Sequence, residues 1–168
     1  AGLAAGFSPI HEGEIDDWDR MIDTNIKGLL YVTRAITPGM AERNSGHIVN
    51  IGSIAAKEVY EKGNVYCASK YAVDALNMGM RIDLVEHNIR VTAIHPGKAE
   101  TEFSIVRFHG DKEKAGKVYE GFTPLYENDI AEAVLFAITR PPHVNINELV
   151  IMPTAQVNAS KTIKNPAN

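Results

Sequence analysis

The sequence predicts an α/β fold in which a doubly wound parallel sheet carries helices on both faces. Three short apolar runs are separated by long segments whose apolar residues recur with helical periodicity. Strands and helices that alternate in this way are joined by right-handed crossovers, which make the sheet parallel. The 168 residues are 45% hydrophobic and 23% charged, which is enough for a domain with its own core. Because no repeat, low-complexity tract or linker interrupts the pattern, we expect residues 1–168 to form a single domain.

The predicted strands are apolar almost throughout, which is typical of strands buried on both faces of a parallel sheet. They are His47–Ser53, Ile89–His95 and Glu148–Met152. Pro96 and Gly97 end the second strand, since proline cannot donate a ladder hydrogen bond and Pro-Gly pairs favour turns. The polar tail after Pro153 is expected to be loosely held.

Apolar residues at helical spacing predict two long and two shorter helices. The predicted helices are Glu14–Arg43, Val65–Glu86, Lys112–Tyr119 and a helix that starts at Asn128-Asp129 and ends near Thr139. Polar residues 23–25 interrupt the first helix, and an Asn or Asp side chain can cap the last one. The rest of residues 98–123 is expected to be loop.

Composition and charge exclude several classes of partner. The net charge of -4 and the lack of basic clusters argue against nucleic acid or an anionic membrane surface. No apolar run approaches the ~18 residues that a membrane span needs. Cys67 is the only cysteine, so no internal disulfide can form and a reducing compartment fits. We therefore expect a cytoplasmic protein without a nucleic-acid or membrane partner.

Tyr66 and Lys70 form a candidate acid–base pair. They are four residues apart near the start of a predicted helix, so both side chains project from one face about one turn apart. A tyrosine hydroxyl has a reference pKa of ~10, and a neighbouring ammonium favours the phenolate and lowers that pKa. The pair can therefore exchange a proton with a ligand, although the same spacing is also common on amphipathic helices.

The ends of the predicted strands add to this pair. Ligands of parallel α/β sheets bind beyond the carboxyl ends of the strands. Ser53 ends the first strand and Pro96-Gly97 ends the second, on either side of Tyr66 in the sequence. Each of these residues, taken alone, also has a structural interpretation. Ser53 can cap a turn, and Asn25 can satisfy backbone groups at a helix kink. Pro96-Gly97 can simply end the strand.

Together, Asn25, Ser53, Tyr66 and Lys70 resemble the catalytic tetrad of the short-chain dehydrogenases/reductases, a family with a Rossmann-like fold. The resemblance implies that Tyr66, as phenolate, takes the proton of a substrate hydroxyl while a hydride passes to a nicotinamide. It implies that Lys70 lowers the pKa of Tyr66 and binds the nicotinamide ribose. Ser53 would hold the substrate oxygen, and Asn25 would anchor a water that links Lys70 to solvent.

The resemblance also implies a cofactor, NADP in preference to NAD. Ala1 and Gly2 are similar to the end of the family's N-N-A-G turn and are expected to contact the cofactor. Further expected contacts are the pair Tyr66 and Lys70 and the segment Pro96, Gly97, Ala99 and Thr101. The family's phosphate-binding loop, T-G-x-x-x-G-x-G, does not occur in this sequence. We therefore expect an N-terminal cofactor-binding part to be missing, so that activity belongs to the full-length parent protein and this chain alone binds dinucleotide poorly.

Residues 100–111 resemble one branch of the family, the NADP-dependent serine and 3-hydroxy acid dehydrogenases, as do residues 23–25, 64–66 and 143–147. The resemblance implies L-allo-threonine, L-serine and 3-hydroxypropionate as substrates, or the reverse reduction of semialdehydes. Arg107 lies in this stretch and is a candidate for binding the substrate carboxylate, since its guanidinium offers a fork of donors. The alternative is that Arg107 pairs with an acid of its own loop or of a neighbouring subunit.

The remaining candidate residues have structural interpretations. We expect His95 and His109 to be structural or solvated and Cys67 to be a small packed residue. No paired cysteines and no His/carboxylate cluster are apparent in the sequence, so no metal site is predicted.

Two other functions and an inactive remnant stay open at this point. One is a short-chain reductase of 3-oxoacyl, sugar or alcohol substrates. The other is a non-catalytic dinucleotide-binding module, although such modules tend to lose the Tyr or Lys of the tetrad. The two long helices carry more apolar surface than one sheet face needs, and the family resemblance implies a homo-oligomer, commonly a tetramer.

Overall fold

The computed structural model describes residues 2–165 and contains a three-stranded parallel sheet. The strands are β1 (Gly46–Ile51), β2 (Ile89–Pro96) and β3 (Glu148–Ile151), in the spatial order β1-β2-β3. Ile48 lies opposite Val91 in the first pair of strands, and Ile94 lies opposite Leu149 in the second. The predicted parallel sheet is confirmed, with β1 ending two residues before Ser53.

Six α-helices accompany the sheet within residues 2–165. They are α1 (Ile15–Ile22), α2 (Leu29–Glu42), α3 (Asn64–Leu84), α4 (Phe103–Arg107), α5 (Lys112–Lys117) and α6 (Glu127–Ile138). Helix α4 lies where a loop was expected, because five residues are too few to carry a helical periodicity. Across residues 2–165, no helix is long and apolar enough to cross a membrane.

The single helix predicted for residues 14–43 is divided in the structure. Helices α1 and α2 are joined by a π-helical turn, Asp23–Gly28. Such wide turns inside helices occur frequently at functional sites. The Asn25 side chain on this turn is only 4% exposed. The polar interruption in the sequence therefore marks a wide turn within a continuous helical segment.

The Asn25 amide ties three segments of the chain together. Its Oδ1 accepts a hydrogen bond from the Leu3 N–H at 2.8 Å, and its Nδ2 donates to the Leu3 carbonyl at 2.8 Å. The same Nδ2 donates to Ser69 Oγ on α3 at 2.9 Å, and that hydroxyl donates to the Tyr66 carbonyl at 2.7 Å. Because an amide has both donors and an acceptor, Asn25 fixes the segment around Leu3 against the start of α3.

Helices α2 and α3 cover one face of the sheet. Ile48 of β1 and Val91 of β2 pack with Met80 of α3, and Leu29 and Met40 of α2 complete the cluster. Burial of this apolar layer is the main favourable contribution to folding here. It also fixes the distance between the sheet and the helix that carries the candidate acid–base pair.

Helix α6 covers the opposite face. Side chains alternate along a strand, so Arg90 points away from the face that Val91 occupies. The Arg90 guanidinium donates to the carbonyls of Ile138, Arg140 and Val144 at 3.2–3.3 Å. A cation at this position satisfies carbonyls at the end of α6 that have no intrahelical partner. Helices therefore lie on both faces of the sheet, as predicted.

The tail after Pro153 is held in place, contrary to the prediction. Gln156 is 6% exposed, and its Oε1 accepts a hydrogen bond from the Lys98 N–H at 2.7 Å. The Asn165 N–H donates to the Gly121 carbonyl at 2.9 Å. These long-range hydrogen bonds tie the tail to the loop that follows β2, and a polar composition gives no sign of them.

Helix α6 begins one residue earlier than predicted, and its cap differs. Tyr126 occupies the N-cap position, and Asp129 is the third residue of the helix. The Asp129 Oδ2 accepts a hydrogen bond from the Tyr126 N–H at 2.7 Å. Asp129 therefore supplies the reciprocal half of a capping box.

Replacing Ile48 by alanine should lower the free energy of unfolding of the full-length protein by about 2–4 kcal/mol, since it leaves a cavity beside Met80. Ile10 is 58% exposed and provides a matched control. Ile10→Ala should change the free energy of unfolding by less than ~0.5 kcal/mol. Urea unfolding curves of both variants test this, and equal losses would contradict the core assignment.

Replacing Asn25 by alanine should cost about 2–3 kcal/mol, because it leaves two backbone groups of Leu3 and the Ser69 hydroxyl without their partner. Asn25→Asp should not restore stability, since a carboxylate would face the Leu3 carbonyl. Asn128 is exposed on α6, so Asn128→Ala is the control. Unfolding by urea, monitored by circular dichroism, gives the three values, and an Asn25→Ala variant as stable as the control would refute the role of the amide.

Candidate active site

The candidate site is centred on Tyr66 and Lys70, in the first turns of α3. Both residues are buried, with 8% and 6% of their surface exposed. Lys70 Nζ donates a hydrogen bond at 3.2 Å to the carbonyl of Ile51, the last residue of β1. It also lies 5.9 Å from the centroid of the Tyr66 ring. The structure therefore brings the predicted pair together at the carboxyl end of the first strand.

Burial dominates the protonation of this pair. Desolvation lowers the pKa of Lys70 to about 8. Desolvation also raises the pKa of Tyr66 above its ordinary value, while the Ser53 side chain and the Arg107 guanidinium act in the opposite direction. The pKa of Tyr66 is raised overall because the cost of burying a phenolate outweighs the nearby positive charge, which favours the neutral phenol. That Lys70 itself lowers this pKa stays a prediction.

Ser53 lies just beyond β1 and faces the same cavity as Tyr66. Its Oγ accepts a hydrogen bond from the Ala55 N–H at 3.1 Å and caps the 3-10 turn Ile54–Ala56. The turn-capping interpretation of Ser53 therefore describes a real contact. A hydroxyl that accepts one hydrogen bond still has its own proton to donate, so capping is compatible with ligand binding.

A cavity of about 620 Å³ opens beyond the carboxyl ends of the strands, where ligands of parallel sheets bind. Asn25 does not line this cavity, and its side chain bonds to the backbone of Leu3 instead. Ala1 lies outside the described residues. The other predicted site residues line the cavity: Gly2, Ser53, Tyr66, Lys70, Pro96, Gly97, Ala99, Thr101 and Arg107.

Gly2 allows the backbone to approach the buried lysine. A Cβ atom at this position would lie 3.0 Å from Lys70 Nζ and 3.3 Å from Asn25 Oδ1. Both distances are shorter than ordinary van der Waals contact, so a larger residue would displace the ammonium or the amide. The glycine therefore keeps the cavity wall in direct contact with Lys70 and Asn25.

Arg107 lies within an aromatic box formed by Phe7, Tyr60, Tyr66 and Phe103. The guanidinium carbon is 5.0–5.5 Å from the centroids of the four rings, a distance at which cation–π attraction operates. Arg107 Nη2 donates a hydrogen bond to the Tyr60 hydroxyl. The Arg107 Nε is buried and has no hydrogen-bond partner among residues 2–165. The half-buried side chain therefore holds its charge against four aromatic rings, beside the candidate proton donor.

Arg107 does not pair with an acid of its own loop, whereas pairing with an acid of a neighbouring subunit stays a prediction. Within the described part of the chain the guanidinium makes no ion pair, and its hydrogen-bond partner is the neutral hydroxyl of Tyr60. Tyr60, Phe7 and Phe103 were not predicted from the sequence as neighbours of Arg107. These aromatic residues come from separate segments with no shared spacing, so no sequence pattern marks them as neighbours.

The segment that carries Arg107 is anchored to the beginning of the fold. The Gly6 N–H donates a hydrogen bond to the Arg107 carbonyl at 3.1 Å. His109 Nε2 lies 3.0 Å from the Asp17 Oδ2 on α1. His109 thus makes a structural contact, and Cys67 is fully buried in the core.

A cluster of histidine and carboxylates does exist, contrary to the sequence-based expectation. Possible ligand atoms of Asp74, His95 and Glu148 lie within 4.8 Å of one another. Lys57 Nζ, however, lies 2.9 Å from Asp74 Oδ2 and 2.6 Å from Glu148 Oε2, where a bound cation would be repelled. The group is an ion-pair network assembled from residues far apart in the sequence, and the absence of a metal site stays a prediction.

Curated proteins match this chain over almost its whole length. The NADP-dependent 3-hydroxy acid dehydrogenase YdfG of Salmonella typhi is 52% identical over 164 residues, which are 97% of this chain and 66% of that protein. The NADP-dependent 3-hydroxy acid dehydrogenase of Schizosaccharomyces pombe is 42% identical over 167 residues, 99% of this chain and 64% of that protein. The chain therefore spans slightly less than two thirds of the length of these relatives.

Solved structures agree with the sequence relatives. The closed form of a serine dehydrogenase complexed with NADP+ has a TM-score of 0.93 and 50% identity, covering 97% of this chain and 66% of that one. Serine dehydrogenase from Escherichia coli has a TM-score of 0.78 and 44% identity, covering 93% of this chain and 62% of that one. A family model described as short chain dehydrogenase matches residues 1–111. With this match over most of the chain, and with the fold and motif residues described above, the protein belongs to the short-chain dehydrogenase family.

Proposed function

We propose that the full-length protein is an oxidoreductase that transfers a hydride between NADP and a small 3-hydroxy acid, or reduces the corresponding semialdehyde. L-allo-threonine, L-serine and 3-hydroxypropionate represent the substrate class. The observation that carries the proposal is the convergence of Ser53, Tyr66, Lys70 and Arg107 on one cavity. The names of the relatives, NADP-dependent 3-hydroxy acid dehydrogenases and serine dehydrogenase, support the same choice.

The residues of this chain fit the nicotinamide end of the cofactor. Lys70 Nζ has three N–H donors and uses one of them on the Ile51 carbonyl, so two remain for ribose hydroxyls. Pro96, Gly97, Ala99 and Thr101 line the cavity beside it. NADP, when bound, supplies the site that gives or accepts the hydride. NADP is favoured over NAD because the relatives and the solved complex are named for it.

Tyr66 is the proposed proton carrier. In the reductive direction, its neutral phenol donates a proton to the carbonyl oxygen of the semialdehyde as the hydride reaches the carbon. In the oxidative direction, the Tyr66 phenolate accepts the proton of the substrate hydroxyl. The raised pKa of Tyr66 favours the phenol, which makes it ready for the reductive direction. Lys70, whose pKa is lowered to about 8, is a nearby group that can exchange a proton close to neutral pH.

Ser53 and Asn25 have supporting roles in this proposal. The Ser53 hydroxyl donates a hydrogen bond to the substrate oxygen and orients it toward Tyr66. Asn25 holds the Leu3 segment and α3 together through three hydrogen bonds of 2.8–2.9 Å. The Asn25 Oδ1 has a second lone pair, which can hold a water that links Lys70 to solvent.

Arg107 is proposed to bind the substrate carboxylate. A guanidinium presents donors in a planar fork that matches a carboxylate, and such charge-assisted bonds are strong in a dry site. Its only hydrogen-bond partner among residues 2–165 is the Tyr60 hydroxyl, which leaves donors for an anion. The cation also lies 5.0 Å from the Tyr66 ring, so a bound carboxylate would hold the neighbouring carbons of a small substrate near the proton carrier.

We further propose that residues 1–168 form one domain, the C-terminal catalytic part of a Rossmann-fold dehydrogenase, in a cytoplasmic homotetramer. Exposed apolar side chains on the long helices support self-association, among them Tyr31 and Val32 on α2 and Ile82 on α3, which are 60–73% exposed. Large apolar patches on a protein surface commonly mark contacts between subunits. The single buried cysteine, Cys67, suits a reducing compartment.

Turnover by the full-length protein tests the proposed reaction. The protein should reduce NADP with L-allo-threonine, L-serine or 3-hydroxypropionate faster than with an uncharged secondary alcohol or a 3-hydroxyacyl thioester. Tyr66→Phe removes the exchangeable proton and should lower kcat about 10²–10⁴-fold. Absorbance of NADPH at its nicotinamide band gives the rates.

Tyr71→Phe is a matched control for this variant, because Tyr71 lies on the same helix and is 42% exposed. It should leave kcat within a factor of two of the wild type. Turnover of the thioester or the alcohol alone would assign the protein to another branch of the family. A Tyr66→Phe variant as active as wild type would refute the proposed proton carrier.

The second prediction separates the role of Arg107. Arg107→Met should raise KM for the 3-hydroxy acids about 10–100-fold, corresponding to the loss of charge-assisted hydrogen bonds, and should spare an uncharged alcohol. Arg107→Lys keeps the charge but not the planar fork, so its KM for the 3-hydroxy acids should lie between those of the wild type and Arg107→Met. Steady-state kinetics at fixed NADP measure the effect, and equal changes for acid and alcohol would refute carboxylate binding.

A further inference from the structure

His95 lies beside the proposed substrate-orienting serine. It is fully buried near the end of β2. Its Nδ1 is 3.3 Å from the Ser53 backbone nitrogen and 3.2 Å from the Ser53 carbonyl oxygen. A Cβ atom at Gly52 would overlap the imidazole ring. The absence of a side chain at Gly52 therefore lets the ring reach the backbone that carries Ser53.

The other side of the His95 ring faces a charged network. His95 Nε2 is 3.3 Å from Asp74 Oδ1 on α3 and 3.8 Å from Glu148 Oε2 on β3. Lys57 Nζ bonds to both carboxylates, at 2.9 Å and 2.6 Å. Three charged groups from three elements therefore surround a ring that contacts the backbone of Ser53.

This arrangement selects one tautomer of the imidazole. An N–H on Nε2 points toward two carboxylates, whereas a lone pair on Nε2 would face negative charge at short range. The attraction between Nε2 and Asp74 is electrostatic and is not a well-aligned hydrogen bond, since Nε2 has no hydrogen-bond partner among residues 2–165. With the proton on Nε2, the lone pair on Nδ1 accepts the Ser53 N–H.

The ring stays neutral in this environment. Burial is the main cause that lowers the pKa of His95, the Lys57 ammonium adds to this effect, and Asp74 acts against it. Because the pKa of the folded protein lies below the ordinary value, the neutral form predominates at neutral pH. As pH falls below 6.5 toward the lowered pKa of the folded protein, protonation becomes costly, so the contribution of His95 to stability is lost in acid.

We infer that His95 is a positioning residue for the reaction: through Nδ1 it holds the backbone N–H of Ser53, while Asp74, Lys57 and Glu148 fix its tautomer. The inference rests on the proposed role of Ser53 as the group that orients the substrate oxygen. The hydroxyl can orient that oxygen only if the backbone of Ser53 is itself fixed. His95 fixes it from behind, without touching substrate or cofactor.

Protonation of His95 reverses the contact. The imidazolium has an N–H on Nδ1, which then opposes the Ser53 N–H and can donate only to the Ser53 carbonyl. The peptide that carries the Ser53 N–H is then repelled by the ring instead of held by it. Displacements of about 1 Å at a catalytic group can cost on the order of 10²-fold in rate. Acidification is therefore expected to lower kcat through this contact.

The test combines two variants of the full-length protein with a readout that does not depend on turnover. His95→Asn can place an amide oxygen near the position of Nδ1 and so retain an acceptor, whereas His95→Leu has a similar volume and no acceptor. Hydrogen exchange of the Ser53 amide reports the contact directly. The Gly52 amide is the internal control, because it donates to the Ile94 carbonyl at 2.7 Å and does not use His95.

His95→Leu should speed exchange of the Ser53 amide about 10-fold or more relative to the Gly52 amide, as expected for the loss of a hydrogen bond. It should lower kcat about 10–100-fold with little change in KM for NADP. His95→Asn should keep the protection of the Ser53 amide and a kcat within about 3-fold of the wild type. Its kcat should no longer show the fall at low pH that protonation of His95 is expected to cause.

The wild-type protein provides a second measurement in case His95→Leu does not fold. Nitrogen-15 spectra of protein with labelled histidine should show the proton on Nε2 at neutral pH, and Ser53 exchange should rise as His95 is protonated. A proton on Nδ1 at neutral pH would overturn the inference. So would fast exchange of the Ser53 amide in His95→Leu without a change in kcat. A wild-type protein without turnover would refute the proposed function while leaving the exchange and tautomer results interpretable.

Discussion

The two-way contact between the Asn25 amide and the Leu3 backbone is the constraint on which the candidate site depends. The amide gives and receives hydrogen bonds of 2.8 Å with one residue and reaches α3 through Ser69. This contact requires the π-helical turn, which presents the amide toward the segment that begins at Gly2. It also brings the backbone of Gly2 against Lys70, so the wall of the cavity and the buried ammonium are fixed by the same interaction.

Local patterns predicted the strands and the Tyr66–Lys70 pair, because each depends on residues that are close in sequence. Asn25 and Ser53 joined that pair only through the family resemblance. Ser53 follows a run of strand residues, and Tyr66 and Lys70 are one helical turn apart. The aromatic box, helix α4 and the buried Gln156 depend on contacts between distant segments, which leave no periodic signal. The raised pKa of Tyr66 could not be predicted for a related reason: a neighbouring lysine is visible in the sequence, whereas the depth of burial is a property of the whole fold.

Two cations on one cavity give the candidate site its electrostatic character. Lys70 is almost fully buried, and the Arg107 guanidinium is enclosed by aromatic rings. Charges are costly to remove from water, and an anion that enters the cavity offsets part of that cost. The same low dielectric that strengthens an attraction to a carboxylate raises the pKa of Tyr66. The proposed selection of an acidic ligand and the raised pKa of Tyr66 therefore have one physical cause.

The five-residue helix α4 touches the proposed proton carrier through Phe103, whose ring centroid is 5.4 Å from that of Tyr66, but it lies outside the apolar layer that holds α3 on the sheet. The proposed proton carrier and its lysine lie on a 21-residue helix packed against the sheet, whereas Arg107 ends a short helix outside the apolar core between α2, α3 and the sheet. Substitutions in α4 that keep Phe103 can change the surroundings of the proposed carboxylate-binding Arg107 without disturbing that layer or the hydrogen bonds of Asn25. With Phe103 retained, α4 is therefore the natural place to begin directed evolution of this protein toward a new substrate.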